Sequence, residues 1–210
     1  MNLIMKRKVV IYLDDILIFS KDINEHHQIT HKVLQILWEN KLSLKPEKCK
    51  FETTETKYLG MIIRNGQVKM DPKKVEAIAK WVNPRNKKEL QQFPGFVNFY
   101  WWFIQGYSKV VKPLTMGNKI WKWNKEQQDT FDELICFVCT NPILIIPLDN
   151  APFWMEVDTS DYAVGGVLSQ KVEDKWQPVT YMSQALSETQ RNYEIYNKEM
   201  LTIMTGLAEW

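Results

Sequence analysis

The 210-residue sequence predicts an α+β fold. Three observations carry that reading. Short apolar runs rich in β-branched residues come in hairpin pairs, one around Asp14-Asp15 and one around Asn65-Gly66. Between residues 71 and 139 the apolar residues recur at helical spacing, with capping residues at the starts. Beyond residue 150, three strand-like runs are followed by a final helical pattern.

Composition narrows the class. Apolar residues make up 45% and charged residues 25%, the balance of a globular chain rather than a disordered one. No apolar run approaches the roughly 18 residues that suggest a membrane span. Met1 to Lys8 is too short and too polar for a signal peptide. Cys49, Cys136 and Cys139 form no disulfide framework, which favours an intracellular, reducing compartment. Cys136 and Cys139 have C-x-x-C spacing, but no second pair completes a zinc site, so they read as buried core thiols. The net charge of +2 is unevenly spread: residues 141–210 carry −6 and the first 140 carry +8. A basic front and an acidic rear fit a polyanion-binding region followed by a carboxylate-bearing one.

The first element is Val9 to Phe19, two apolar runs that read as short buried strands with Asp14 and Asp15 at the turn. Adjacent carboxylates in apolar surroundings repel each other and lose hydration, so they call for a cation. Mg²⁺ suits such a pair, since it takes one or two carboxylates plus phosphate oxygens. Asp-Asp is also an ordinary turn signal. Ile23 to Asn40 reads as a helix through Ile29, Val33, Ile36 and Leu37, with His27 and His31 on its surface. Leu42-Ser43-Leu44 reads as a short strand, followed by a Lys-rich turn containing Lys45 and Lys48.

Lys57 to Ile63 and Gln67 to Met70 flank Arg64-Asn65-Gly66, a strong hairpin signal. Asp71-Pro72 opens a helix as cap and first-turn proline, with Val75, Ile78, Ala79 and Val82 as its apolar stripe. After Asn83-Pro84, Asn86 and Glu89 make a capping-box-like start for the next helix. From Lys69 to Lys112 there are nine Lys or Arg against three acids, interleaved with Phe96, Phe99, Tyr100 and Phe103, a composition that suits phosphate contacts. Trp121 to Cys139 reads as a helix capped by Asn124, with Phe131, Leu134, Ile135 and Val138 inward, stopped by Asn141-Pro142. Phe153–Asp158, Ala163–Gln170 and Trp176–Met182 read as strands, and Tyr193–Trp210 as a helix.

Several of these stretches carry a family resemblance. Tyr12-Leu13-Asp14-Asp15 between hydrophobic strands resembles the palm motif of reverse transcriptases. Tyr58-Leu59-Gly60 and its hairpin resemble that family's primer grip, where Gly60 would let the backbone lie close to the primer. Leu90 to Ile104 closely resembles the thumb of Ty3/gypsy-type retrotransposon polymerases. It departs from it at Pro94, where the family usually has Leu, and at Trp101-Trp102, where it has Arg-Arg. Asp158-Thr159-Ser160-Asp161 with the Gly165-Gly166 strand resembles the opening of a retroelement ribonuclease H, and Glu199 matches that domain's helix glutamate.

The resemblance implies a Pol polyprotein with RNA-directed DNA polymerase and ribonuclease H activities. Asp14, Asp15, Asp158 and Glu199 become the catalytic, metal-binding residues, with Mg²⁺ or Mn²⁺ as cofactor. Tyr58, Leu59, Gly60, Lys45, Lys48, Lys87 and Lys88 become the primer- and nucleic-acid-binding set, with a lysine of the 45–48 turn placed to protonate pyrophosphate. The implied partners are RNA–DNA hybrid or primer-template and deoxynucleotides, with no membrane. The expected organisation is a palm remnant at 1–70, a helical thumb at 71–118, a linking helix and connector at 119–150, and the first half of a ribonuclease H-like fold at 151–210. The aspartate that the polymerase family carries upstream, and the next ribonuclease H aspartate, have no counterpart here. The expectation is a polyprotein piece whose two metal sites are each half present, inactive or nearly so alone, or else a non-catalytic binding remnant or decayed copy.

Overall fold

The computed structural model describes residues 8–115, 123–140, 142–148 and 150–210. They fall into two compact units, one ending at Leu59 and the other running from Gly60 to Trp210. The mixture of helices and antiparallel strands is α+β, as the sequence predicts. Among the described residues no helix is long and apolar enough to cross a membrane.

In the first unit β1 (Val9–Tyr12) and β2 (Asp15–Ile18) pair antiparallel, from Val9 opposite Ile18 to Tyr12 opposite Asp15. Leu13, at φ 51°, and Asp14 make the turn, so Asp15 heads β2 rather than sharing the turn. The expected burial of these strands does not occur: Val10 is buried, but Ile11 is 63% and Tyr12 53% exposed. A two-stranded ribbon is too narrow to cover its own faces. α1 (Ile23–Glu39) follows, capped by Asp22, whose carboxylate accepts the Glu25 N–H at 2.7 Å. No strand forms at Leu42–Leu44; these residues are exposed and lead into a 3₁₀ turn at Pro46–Lys48. β3 (Glu55–Tyr58) closes the unit.

The run 57–63, read as one strand, is broken in two. Leu59 (φ 48°) and Gly60 (φ 72°) form a left-handed turn that a strand cannot contain. β4 (Met61–Arg64) and β5 (Gln67–Met70) then make the hairpin read from Asn65-Gly66, whose φ values of 48° and 73° are those of a type I′ turn. A Cβ on Gly60 would lie 3.0 Å from the Tyr100 hydroxyl. That hydroxyl and the Asp71 N–H both donate to the Gly60 carbonyl, at 3.3 and 3.0 Å.

α2 (Pro72–Ala79), α3 (Lys87–Val97), a 3₁₀ turn (Asn98–Phe103), α4 (Tyr107–Thr115) and α5 (Lys125–Cys139) form the helical part. Its core is aromatic. Phe93 and Phe131 stand 4.4 Å apart between ring centres, Trp81 meets Phe93 edge-on at 5.5 Å, and Tyr100 and Phe103 are buried beside them. The predicted face of α5 is observed, with Phe131, Leu134 and Val138 buried. Cys136 and Cys139 are exposed, contrary to expectation, because they lie on the side of the helix away from that stripe. Val82 is 71% exposed, since α2 ends at Ala79, before the stripe reaches it. α3 continues through Pro94, whose carbonyl accepts from the Tyr107 hydroxyl at 3.4 Å. The readings of Trp121 as a helix start and Asn141 as its stop lie outside the described residues. β6 (Leu144–Ile145), absent from the sequence reading, pairs antiparallel with β5.

β7 (Phe153–Thr159), β8 (Ala163–Val172) and β9 (Lys175–Ala185) form the antiparallel meander. A short helix, α6 (Glu188–Arg191), precedes α7 (Ile195–Glu209). α7 turns Lys198, Thr202 and Gly206 inward, one residue per turn. A Cβ on Gly206 would meet Met155 Sδ at 2.9 Å and Val157 Cγ1 at 3.2 Å, so glycine lets this helix lie close on β7. Gln170 is completely buried and satisfied by backbone: its Oε1 accepts the Leu148 N–H at 2.8 Å, and its Nε2 donates to the Leu148 and Ala151 carbonyls at 3.0 and 2.8 Å.

Gln170→Met keeps the volume but takes the partner from one part-buried backbone donor and two acceptors. It is expected to lower unfolding stability by about 2–4 kcal/mol in urea denaturation; a loss within error would show that the loop is held otherwise. Tyr107 supplies a pH test. Burial pushes its hydroxyl up to about 12 from 10. The neutral form is favoured in the folded state, so its contribution is complete below pH 10 and is lost as pH rises from 10 through 12. Tyr107→Phe is expected to flatten the loss of stability in that window, by up to a few kcal/mol.

Candidate nucleic-acid and metal sites

The Asp14-Asp15 pair is placed at the tip of the β1–β2 ribbon, and both residues are exposed. Solvent, rather than a buried partner, relieves their mutual repulsion. Neither carboxylate is used in a hydrogen bond or ion pair among the described residues. Asp14 in the turn and Asp15 at the head of β2 would offer a hard cation two carboxylates, with water and phosphate completing its shell. Lys45 and Lys48 lie exposed at the 3₁₀ turn of the same unit, with neither ammonium paired among the described residues.

Tyr58 is 9% exposed, and its hydroxyl is buried without a hydrogen-bond partner. Burial raises its pKa first, and the nearby Asp15 charge raises it further. The phenol therefore stays neutral beside the carboxylate hairpin. Leu59 and Gly60 provide the left-handed backbone turn already described.

Lys87 and Lys88 occupy the first turn of α3, exposed and without an ion pair among the described residues. Cations there oppose the helix dipole, and an approaching anion relieves that cost. The acid of that turn is already engaged: Glu89 accepts from Arg85 N–H and from the Asn86 side chain, both at 2.8 Å. Trp101 and Trp102 are half-buried, with the Trp102 ring 4.1 Å from that of Phe103. They pack as aromatics where the family resemblance implied arginines.

On the meander, Asp158 is exposed near the end of β7. Val157 pairs with Gly166 and faces α7. Asp158 pairs with Gly165, whose side of the sheet is approached by Gly106. Side chains alternate along a strand, so Asp158 points away from the face that α7 covers. It lines a depression of about 220 Å³ with Glu156, Ser160, Ser183, Gly106 and Lys109. Glu199 is exposed on α7. No hydrogen bond or ion pair joins the two, and among the described residues no group of three or more His, Cys, Asp or Glu side chains could hold a metal ion. Asp158 and Glu199 thus do not fit a shared ion as they stand.

The sequence reading did not single out Lys198. It is buried beside Glu199, and its ammonium reaches Asp161 Oδ1 at 3.5 Å, linking α7 to the turn after β7. The signal was the spacing Lys198-Thr202-Gly206, a stripe whose glycine marks the covered face.

Known proteins give the context of these sites. Residues 1–63 match the family model described as reverse transcriptase (RNA-dependent DNA polymerase), and residues 123–210 match that described as an RNase H-like domain found in reverse transcriptase. The chain is 36% identical over 211 residues to the retrovirus-related Pol polyprotein from transposon opus of Drosophila melanogaster, covering 94% of this chain and 21% of that one. It is 36% identical over 206 residues to the transposon Tf2-3 polyprotein of Schizosaccharomyces pombe, covering 96% of this chain and 16% of that one. It therefore spans about a fifth or less of those relatives. In fold it is similar to foamy viral protease-reverse transcriptase solved with RNA/DNA hybrid, with a TM-score of 0.75 at 24% identity over 96% of this chain and 28% of that one. The dRH form solved with double-stranded DNA gives 0.76 at 23% identity, over 96% of this chain and 36% of that one.

Proposed function

We infer the role of this chain from the family to which it belongs, the reverse transcriptase and ribonuclease H-like sequences of Ty3/gypsy-type retrotransposon Pol polyproteins: it grips an RNA–DNA hybrid or primer-template and offers the hairpin carboxylates to the primer end. The observation that carries this reading is the unspent charge. Asp14 and Asp15 are exposed at the hairpin tip, and Lys87 and Lys88 crowd the first turn of a helix whose acid, Glu89, is engaged by Arg85 N–H and Asn86. Such groups are placed for ligands, not for stability.

In this reading Asp14 and Asp15 are the residues that would hold Mg²⁺ or Mn²⁺ when a deoxynucleotide is bound. A divalent ion bound there would neutralise charge developing on phosphate oxygens. The Tyr58-Leu59-Gly60 turn lays its backbone against the primer, with no side chain at Gly60 to hold the strand off. Lys45 and Lys48 lie in the same unit as the carboxylates and face departing pyrophosphate. Lys87 and Lys88 neutralise backbone phosphates. Asp158 and Glu199 belong to the ribonuclease H half of the family, and with the pair apart no hydrolytic step is assigned to them. In this reading polymerisation and hybrid cleavage are activities of the longer polyproteins, of which this chain spans about a fifth or less.

Association with RNA–DNA hybrid is expected to weaken steeply with salt. Replacing Lys87 and Lys88 by Gln should reduce the slope of log affinity against log salt by about 1.8, at about 0.9 per phosphate contact on duplex. An unchanged slope would remove α3 from the interface. Primer extension by the purified chain on an RNA template with Mg²⁺, abolished by Asp14→Asn, would show that the carboxylate hairpin suffices.

A further inference from the structure

Cys136 and Cys139 stand one turn apart at the C-terminal end of α5, both exposed. Residues three apart are neighbours on a helix surface, with Cβ atoms about 5–6 Å from each other. Neither sulfur is used in a hydrogen bond among the described residues, whereas Cys49 is half-buried and its Sγ donates to the Lys45 carbonyl at 3.3 Å. The backbone that carries the pair is fixed. Val138, between the two in sequence, is completely buried. The Thr140 N–H donates to the Cys136 carbonyl at 2.9 Å, and the Thr140 hydroxyl donates to the Phe137 carbonyl at 2.6 Å. The fold thus holds two free thiols side by side and gives them no structural task.

Two chemistries take such a pair. A disulfide needs its Cβ atoms about 3.5–4.5 Å apart, so closing one here would draw the last turn of α5 in by about 1 Å against the Val138 and Thr140 anchors. A metal asks for less. Thiolates on a tetrahedral zinc ion, each about 2.3 Å from it, lie about 3.8 Å apart, a separation that side chains on this spacing reach by rotation. Helices elsewhere chelate metals through residues three apart. Charge agrees with a cation: the pair sits at the negative end of the helix dipole, and α5 carries Glu126, Asp129, Asp132 and Glu133 against Lys125.

Structural zinc takes four ligands. Among the described residues no group of three or more His, Cys, Asp or Glu side chains could hold a metal ion, so this pair supplies two ligands and needs two from outside. A second copy of the chain brings an identical pair, and a two-fold axis through the ion makes the arrangement self-complementary. We propose that Cys136 and Cys139 form half of a tetrathiolate zinc site, completed by the same two residues of a second copy, so that Zn²⁺ joins two chains through the ends of α5. The thiol protons pass to solvent as the ion binds. Without the ion the two acidic α5 faces repel each other, so the pairing is metal-dependent. Nothing in this proposal depends on nucleic-acid binding.

The test is sedimentation equilibrium of the full chain in phosphine-reduced buffer, with Zn²⁺ as the probe. Zinc is expected to double the mass and to bind at about half an equivalent per chain, as a four-thiolate site shared by two chains requires; EDTA should reverse both. Cys136→Ser and Cys139→Ser should each abolish the zinc-dependent doubling, and Cys49→Ser should leave it intact. Independently of any variant, zinc should slow iodoacetamide alkylation of Cys136 and Cys139 by about tenfold or more, since the thiolate is both nucleophile and ligand, and leave Cys49 unchanged. A full equivalent of zinc per chain with no change in mass would overturn the second-copy assignment. Unchanged mass with unchanged alkylation would overturn the site itself, as would a doubling that persists in the Cys136→Ser, Cys139→Ser double variant.

Discussion

The contact between Phe93 and Phe131 is the constraint on which the larger unit depends. It seats α5 against α3, while α5 also packs on α2 and α4. From the end of α5 the chain returns as β6, which pairs with β5 and donates the Ile146 N–H to the Gly66 carbonyl at 2.7 Å. One aromatic pair therefore keeps the 61–70 hairpin and the helices in one framework. The meander joins it through the Ser108 N–H, which donates to Ser183 Oγ at 2.8 Å. Truncating a buried Phe costs about 3–5 kcal/mol, against a total stability of about 5–15 kcal/mol for a typical domain. No surface ion pair in the chain matters on that scale.

Stability and function are consequently drawn from different residues. The helical part is held by buried aromatic rings, and in the meander the buried Gln170 side chain is satisfied by backbone. The groups proposed to address ligands, the hairpin carboxylates and the lysines of the 3₁₀ turn and of α3, are exposed instead. The Trp101-Trp102 pair shows the two demands meeting. Where the family resemblance implies two cations, this chain has two half-buried rings, and its positive charge is concentrated earlier, around Arg85, Lys87 and Lys88.

Much of this was legible in the sequence where a local rule decides. Asn65-Gly66 specified its turn, because only residues tolerant of positive φ fit there. Asp71, Asn86 and Asn124 marked their helices through side-chain caps that need no tertiary context. The inward face of α5 followed from spacing alone. What was not legible depends on what lies opposite. β6 is two residues long and exists because β5 offers it an edge. The break at Leu59-Gly60 was hidden inside an apolar run that reads as one strand. Burial of the Asp14-Asp15 flanks was inferred from composition, but a ribbon of two strands does not cover itself. The positions of Asp158 and Glu199 share this limit, since a motif fixes residue types and order but not which sheet face a side chain takes.

In the proposed grip the nucleic acid lies on the left-handed turn and the basic helix start rather than on α7. Hydrogen–deuterium exchange of the chain with and without saturating RNA–DNA hybrid, at low salt with Mg²⁺, tests this most directly. Slowed exchange is expected across residues 57–66 and the first turns of α3, with residues 195–209 unchanged. Protection confined to the meander and α7, with the 57–66 segment and α3 exchanging as in the unbound chain, would contradict it.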